Sequence, residues 1–194
     1  RFLLALLPTF AAIGKSRSPR RAKLSPTLGS AESPRKEITM KLLVLSDSHG
    51  NVDNMARAVE LTQPRHILHL GDCLRDAQAL HERFLDLPLD TVPGNCDWGS
   101  FDQPERLLEF EGVRVLMMHG HTRNVKSSPL AAQYAAREWG ADVLLFGHTH
   151  RPLVDYDGTL YTMNPGAIGD FRRPTYGVVT IENSKAACAT FVLE

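Results

Sequence analysis

The chain of 194 residues has little cysteine: only Cys73, Cys96 and Cys188, an odd number with no C-x-x-C pair. That scarcity argues against a disulfide framework and a structural zinc knuckle, and favours the reduced thiols of a cytoplasmic protein. No apolar run reaches the roughly 18–20 residues of a membrane-spanning helix, so no membrane partner is expected. Net charge is missing too, since 22 Lys+Arg balance 22 Asp+Glu. A neutral chain is poorly suited to holding a long nucleic acid. Position 1 lacks a Met.

The zero charge is a sum over two unlike pieces. Residues 1–39 hold eight basic and two acidic side chains, whereas residues 40–194 hold fourteen basic, twenty acidic and all eight histidines. The first piece opens on an apolar stretch to Ile13, then turns basic and Ser/Pro-rich, a composition that cannot bury enough surface to order itself. It reads as a targeting segment, a disordered tail, or upstream sequence that is not natively translated. The missing Met at position 1 and Met40 directly before an apolar run favour the last. The second piece, about 155 residues, is long enough to bury a core and carries the chemistry.

Within it, residues 41–45 read as a buried strand, 51–63 as a helix capped by Asn51 and stopped by Pro64, and 66–70 as a strand. A helix over roughly 74–85 and a strand over 89–92 follow. This alternation is that of a parallel sheet. Strands at 106–110 and 113–118, a helix over about 128–139, and strands at 143–146, 153–156, 159–163, 176–182 and 187–193 complete the chain. Glu111-Gly112, Asp157-Gly158 and Asn183-Ser184 mark hairpins. The fold class is α/β with mixed sheet, two sheets packed together and helices outside.

Five of these strands stop at clusters of metal-ligand residue types: Asp47-Ser48-His49, Gly71-Asp72, Gly94-Asn95-Cys96-Asp97, His119-Gly120-His121 and Gly147-His148-Thr149-His150. Each cluster alone is weak, since strand-end loops are usually polar. Together, at strand ends facing one crevice, they point to metal. Two carboxylates, an amide and about four imidazoles are too many for one ion and suit two. Mixed N/O donors admit Mn²⁺, Zn²⁺, Fe, Ni²⁺ or Co²⁺ without ranking them. Ions roughly 3.5–4 Å apart clamp the attacking and leaving oxygens of a phosphoryl displacement.

In this order, Asp47-x-His49, Gly71-Asp72, Gly94-Asn95, His119 and Gly147-His148-x-His150 resemble the calcineurin-like metallophosphoesterase superfamily. His49-Gly50-Asn51, Gly94-Asn95-Cys96-Asp97, His119-Gly120-His121 and Asn164-Pro165-Gly166-Ala167 are similar to its single-domain YfcE-type phosphodiesterase branch. The resemblance spans residues 40–194. It implies a four-layer α/β/β/α sandwich, a first metal on Asp47, His49 and His150, a second on Asn95, His119 and His148, and Asp72 bridging them. A hydroxide between the metals would attack phosphorus in line. The implied activity, with Mn²⁺ the expected ion, is a phosphodiesterase on small phosphoesters, and a homo-oligomer is compatible with it. The rival is a protein-binding scaffold resembling the retromer subunit of this fold, which can lose ligands without penalty; here every ligand position is filled.

One position departs from much of the superfamily, where a His follows Gly-Asn. Here it is Cys96, and a thiol carries no positive charge at neutral pH. His121 is the alternative acid, or a partner orienting His119. Without a strong acid, diesters with good leaving groups, such as aryl esters, are favoured. Arg172 and Arg173 are either phosphate contacts or an exposed charge pair. Asn51 caps its helix or reaches phosphate. Asp97 either orients a ligand imidazole or forms a turn, and Trp98 and Phe101 either wall the cleft or anchor their loop. His66, His69 and His81 are read as structural or surface residues.

Overall fold

The computed structural model describes residues 39–194; the expectations for the preceding segment lie outside the described residues. The domain takes in Thr39, whose hydroxyl donates to the Glu182 carboxylate.

The leucine-rich run forms β1 (Met40–Leu45). Asn51 then caps α1 (Val52–Thr62) by accepting from the Asn54 N–H. Gln63 ends that helix in the left-handed region, just before Pro64. Next come β2 (His66–His69), α2 (Leu74–Arg83) and β3 (Leu89–Thr91). The second half supplies β4 (Glu105–Phe110), β5 (Val113–Met118), a 3-10 turn at His121–Arg123, α3 (Leu130–Glu138), β6 (Val143–Phe146), β7 (Leu153–Tyr156) and β8 (Tyr161–Asn164). The final hairpin is β9 (Thr175–Glu182) and β10 (Lys185–Val192).

Two five-stranded sheets result, in the orders β10-β9-β1-β2-β3 and β4-β5-β6-β8-β7. Both are mixed: β1–β2–β3 and β5–β6–β8 run parallel, and the remaining pairs are antiparallel. On β1 the period of two sends Leu42 and Val44 into the seam between the sheets, against Val115, Met117, Val143 and Leu145. Leu43 and Leu45 point the other way, onto Met55 and Val59 of α1. On the far side of the second sheet, Leu116, Met118, Leu144 and Phe146 pack on Ala132 and Ala136 of α3. This is the four-layer α/β/β/α sandwich.

Strand edges differ from the sequence reading where side chains take over backbone groups. Asp157 Oδ1 accepts from the Thr159 and Leu160 N–H groups and from the Thr159 hydroxyl. The turn therefore consumes Thr159, and β8 begins at Tyr161. Asn183 and Ser184 both take positive φ, 50° and 57°, which lets Lys185 pair at once with Glu182 and starts β10 two residues earlier than the 187 expected.

Candidate metal centre

The parallel strands deliver their C-terminal ends to one edge of the sandwich. Asp47 and His49 follow β1, Asp72 follows β2, Asn95 follows β3, His119 follows β5, and His148 and His150 follow β6. The loops are stitched together directly. Asp47 N–H donates to the Gly71 carbonyl at 3.1 Å, Gly147 N–H to the His119 carbonyl at 3.1 Å, and His148 N–H to Asp47 Oδ2 at 3.1 Å. The last of these crosses from one sheet to the other.

Asp47, His49, Asp72, His148 and His150 all hold positive φ, between 43° and 65°. Non-glycine residues adopt this region at a cost, and such strain collects at functional sites. Two glycines make the crowding possible. A Cβ on Gly71, whose φ is 93°, would lie 2.5 Å from the Gly94 nitrogen, and one on Gly94 would lie 2.1 Å from Asp72 Oδ1.

His119 is fully buried, and its Nδ1 lies 2.8 Å from the Leu70 carbonyl oxygen. A carbonyl only accepts, so Nδ1 carries a hydrogen and Nε2 is the ring nitrogen turned toward the site. That atom faces Asn95 Oδ1 at 3.0 Å, His148 Nδ1 at 3.2 Å and Asp72 Oδ1 at 3.5 Å. The carboxylate and amide oxygens here are acceptors. On the other side, Asp47 Oδ2 accepts from Ser46 Oγ at 2.6 Å, while buried Oδ1 has no hydrogen-bond partner and lies 3.1 Å from His150 Nε2. The His49 and His150 ring centroids are 5.4 Å apart.

Ligand atoms of Asp47, His49 and His150 lie within 4.8 Å of one another, as do those of Asp47, Asp72 and His119. Asp72 also groups with His49 and Cys96 and is thus common to both sides. Converging lone pairs and an orphaned buried carboxylate oxygen fit divalent cations, which Asp47, His49, His150, Asp72, Asn95, His119 and His148 could hold.

Electrostatics agree with neutral imidazoles on one side. Desolvation, with His119 and Lys126 nearby, pushes His148 down to about 4. Desolvation also lowers His121, whose Nδ1 is buried without a partner. His150 is instead raised by Asp47. For Asp47, burial raises the carboxyl, but His150 and the Ser46 hydroxyl outweigh it and hold it below its usual value.

The remaining sequence-derived positions sort by what they touch. Cys96 gives its N–H to Asp72 Oδ1 at 2.9 Å, and its thiol is pushed up to about 11 by desolvation and by Asp72. Asn51 Oδ1 is committed to the α1 cap at 3.2 Å from the Asn54 nitrogen, leaving its amide nitrogen free of that role. Arg172 and Arg173 are exposed, and Asp170 accepts both of their backbone N–H groups at 2.8 Å. Their loop is tied to the centre, for Gly169 N–H donates to the Asp47 carbonyl at 3.1 Å.

Sequence reasoning missed several supporting groups and, for Asp97, offers an imidazole partner or a turn but not a helix cap. Asp97 accepts from the N–H groups of Asp72, Cys73, Leu74 and Gly94, all within 2.8–3.0 Å. Buried Asn164 donates to the Gly147 carbonyl and Thr149 Oγ1 and accepts from Gly166 N–H, clamping the His148–His150 loop. Ser46 and Lys126 also act on ligand positions. The Asn-Pro-Gly run was the one visible signal for Asn164; the others are polar residues of ordinary appearance.

The sandwich with this edge is that of a metal-dependent phosphoesterase. Residues 40–184 match the calcineurin-like phosphoesterase superfamily domain, and the chain belongs to that family of hydrolases. It is 31% identical over 156 residues to the probable metallophosphoesterase YsnB of Bacillus subtilis, covering 76% of this chain and 88% of that protein. Identity to the phosphodiesterase YfcE of Escherichia coli is 29% over 154 residues, covering 66% of this chain and 79% of YfcE. Among solved structures, a predicted phosphoesterase of Streptococcus pneumoniae superposes with a TM-score of 0.67 at 25% identity, covering 80% of this chain and 90% of that one. Vacuolar protein sorting 29 of Cryptosporidium parvum shares the fold, with a TM-score of 0.64 at 16% identity over 79% of this chain and 97% of its own.

Proposed function

We propose that the chain is a phosphodiesterase working with two divalent ions, Mn²⁺ foremost, on small phosphodiesters. The carrying observation is His119 Nε2 facing Asn95 Oδ1, His148 Nδ1 and Asp72 Oδ1 within 3.5 Å, beside a buried Asp47 Oδ1 without a hydrogen-bond partner. When bound, such ions supply Lewis acidity at the phosphoryl oxygens and acidify water for in-line attack. The protein's own part is orientation. The Leu70 carbonyl fixes the His119 ring, Ser46 and the His148 N–H hold one Asp47 oxygen, and the Cys96 N–H holds one Asp72 oxygen. Asp72 is the bridging position in this reading, and Arg172 and Arg173 flank the phosphate.

The acid candidates support a preference for good leaving groups. The Cys96 thiol at about 11 is a feeble proton donor, and His121 is lowered toward its neutral form. Three free thiols support a reducing, cytoplasmic setting. A docking scaffold of this fold is the second reading, favoured by the likeness to vacuolar protein sorting 29. Because a member of that group from Entamoeba histolytica is described in complex with Zn²⁺, metal binding alone does not separate the readings; turnover does. Replacing the proposed bridge, Asp72→Ala, should remove hydrolysis of a bis-aryl phosphate and lower bound metal from about two ions per chain. Hydrolysis retained in that variant would refute the two-ion reading. No hydrolysis by the parent chain across a panel of metals would favour the scaffold.

A further inference from the structure

A cleft of about 560 Å³ runs from Cys96 along the start of α2, walled by Cys73, Arg75, Asp76, Asp97 and Trp98. Its volume is that of a small-ligand site. It adjoins the metal centre, since Cys96 groups with His49 and Asp72. The electrostatics of its wall are lopsided. Asp97 accepts from four backbone N–H groups, among them those of Cys73 and Leu74 at the start of α2. Asp76 is consumed by Ser48 Oγ and the Gly50 N–H, both at 2.7 Å. Arg75 has no acidic partner among the described residues. Both carboxylates stay charged but are held in place by these bonds, and the one cation lining the cleft among the described residues is the Arg75 guanidinium.

Trp98 is 92% exposed, so its indole does not anchor the 97–103 loop by packing. An unburied indole on the wall of a cleft is a stacking surface for a planar ring. Phe101 is just as exposed but does not line the cleft.

We infer that this cleft receives the leaving group of the ester, an aromatic ring laid on Trp98 with a further anionic group held by Arg75. The substrate class is thus nucleotide-like: a ring, the scissile phosphate and a second negative charge. The inference rests on the phosphodiesterase reading for which bond is cut, but the binding geometry stands apart from it.

The test uses the full chain with Trp139→Phe, which leaves Trp98 as its single tryptophan. Freed of metal by chelation, it is titrated with adenosine 5′-monophosphate. Fluorescence should quench saturably, ribose 5-phosphate should not quench it, and adding Arg75→Gln should weaken nucleotide binding roughly tenfold while leaving adenosine unchanged. No saturable quenching, or equal nucleotide affinity with and without Arg75, overturns the subsite. With metal supplied, Trp98→Leu should raise KM for a bis-aryl phosphate about tenfold and move kcat little, with Phe101→Ala as the silent control. An unchanged KM overturns the ring platform. Saturable quenching in a chain that hydrolyses nothing would leave the subsite standing and refute the phosphodiesterase.

Discussion

His69 lies fully buried at the end of β2, accepting the Gly71 N–H on Nδ1 at 3.3 Å, with Nε2 lacking a partner. Burial lowers its pKa to about 4. It is neutral in the folded chain, whereas in the unfolded chain it takes a proton below about 6.5. Stability should therefore fall as pH drops from about 6.5 to 4, by at most about 3 kcal/mol from this residue. His69→Asn, which keeps an acceptor for Gly71, should flatten that part of the profile in urea unfolding of the metal-free chain. An equal slope in the variant would show that His69 carries none of the loss. The residue scale is also where the sequence was least legible about backbone. It displayed the Asp and His types at strand ends, but nothing in it marked five of them as left-handed. That conformation comes from loops pressed together across the two sheets, not from local preference.

Among elements, α2 begins at Leu74 with a left-handed Cys73 before it and no side-chain cap of its own; Asp97, 23 residues on, takes the capping role. Asp97→Ala should cost about 2 kcal/mol, read as a lowered urea midpoint, because it strands several N–H groups at once. Asn, which keeps one acceptor oxygen, should cost less than Ala. An unchanged midpoint in the Ala variant would mean that water replaces the carboxylate. The contrast with α1 shows what sequence can reveal. Asn51 caps three residues ahead and was readable; Asp97 caps across a strand and a helix and was not. Strands buried on both faces, such as β1 and β6, were legible from unbroken apolar runs. The start of β8 was not, because the Asp157 side chain captured Thr159.

The molecule as a whole splits its proposed ligands between layers. Asp47, His49 and Asp72 end strands of the first sheet, and His119, His148 and His150 end strands of the second. Cation binding should then join the sheets and raise the melting temperature. At about a hundredfold excess over Kd the gain is roughly 2.7 kcal/mol. Scanning calorimetry should show that gain reduced by Asp47→Ala in one sheet and by His148→Ala in the other. A full gain in either variant would mean the ion is held by one sheet alone. The strand order carries a last consequence. β1, which bears Asp47 and His49 at its end, is flanked by β2 and by β9, residues 175–182. On the ribosome, the nascent chain must keep one edge of β1 unpaired until nearly the whole domain has been made. A transcript cut short before β9 would yield a second sheet with all its strands, facing a first sheet that could not close.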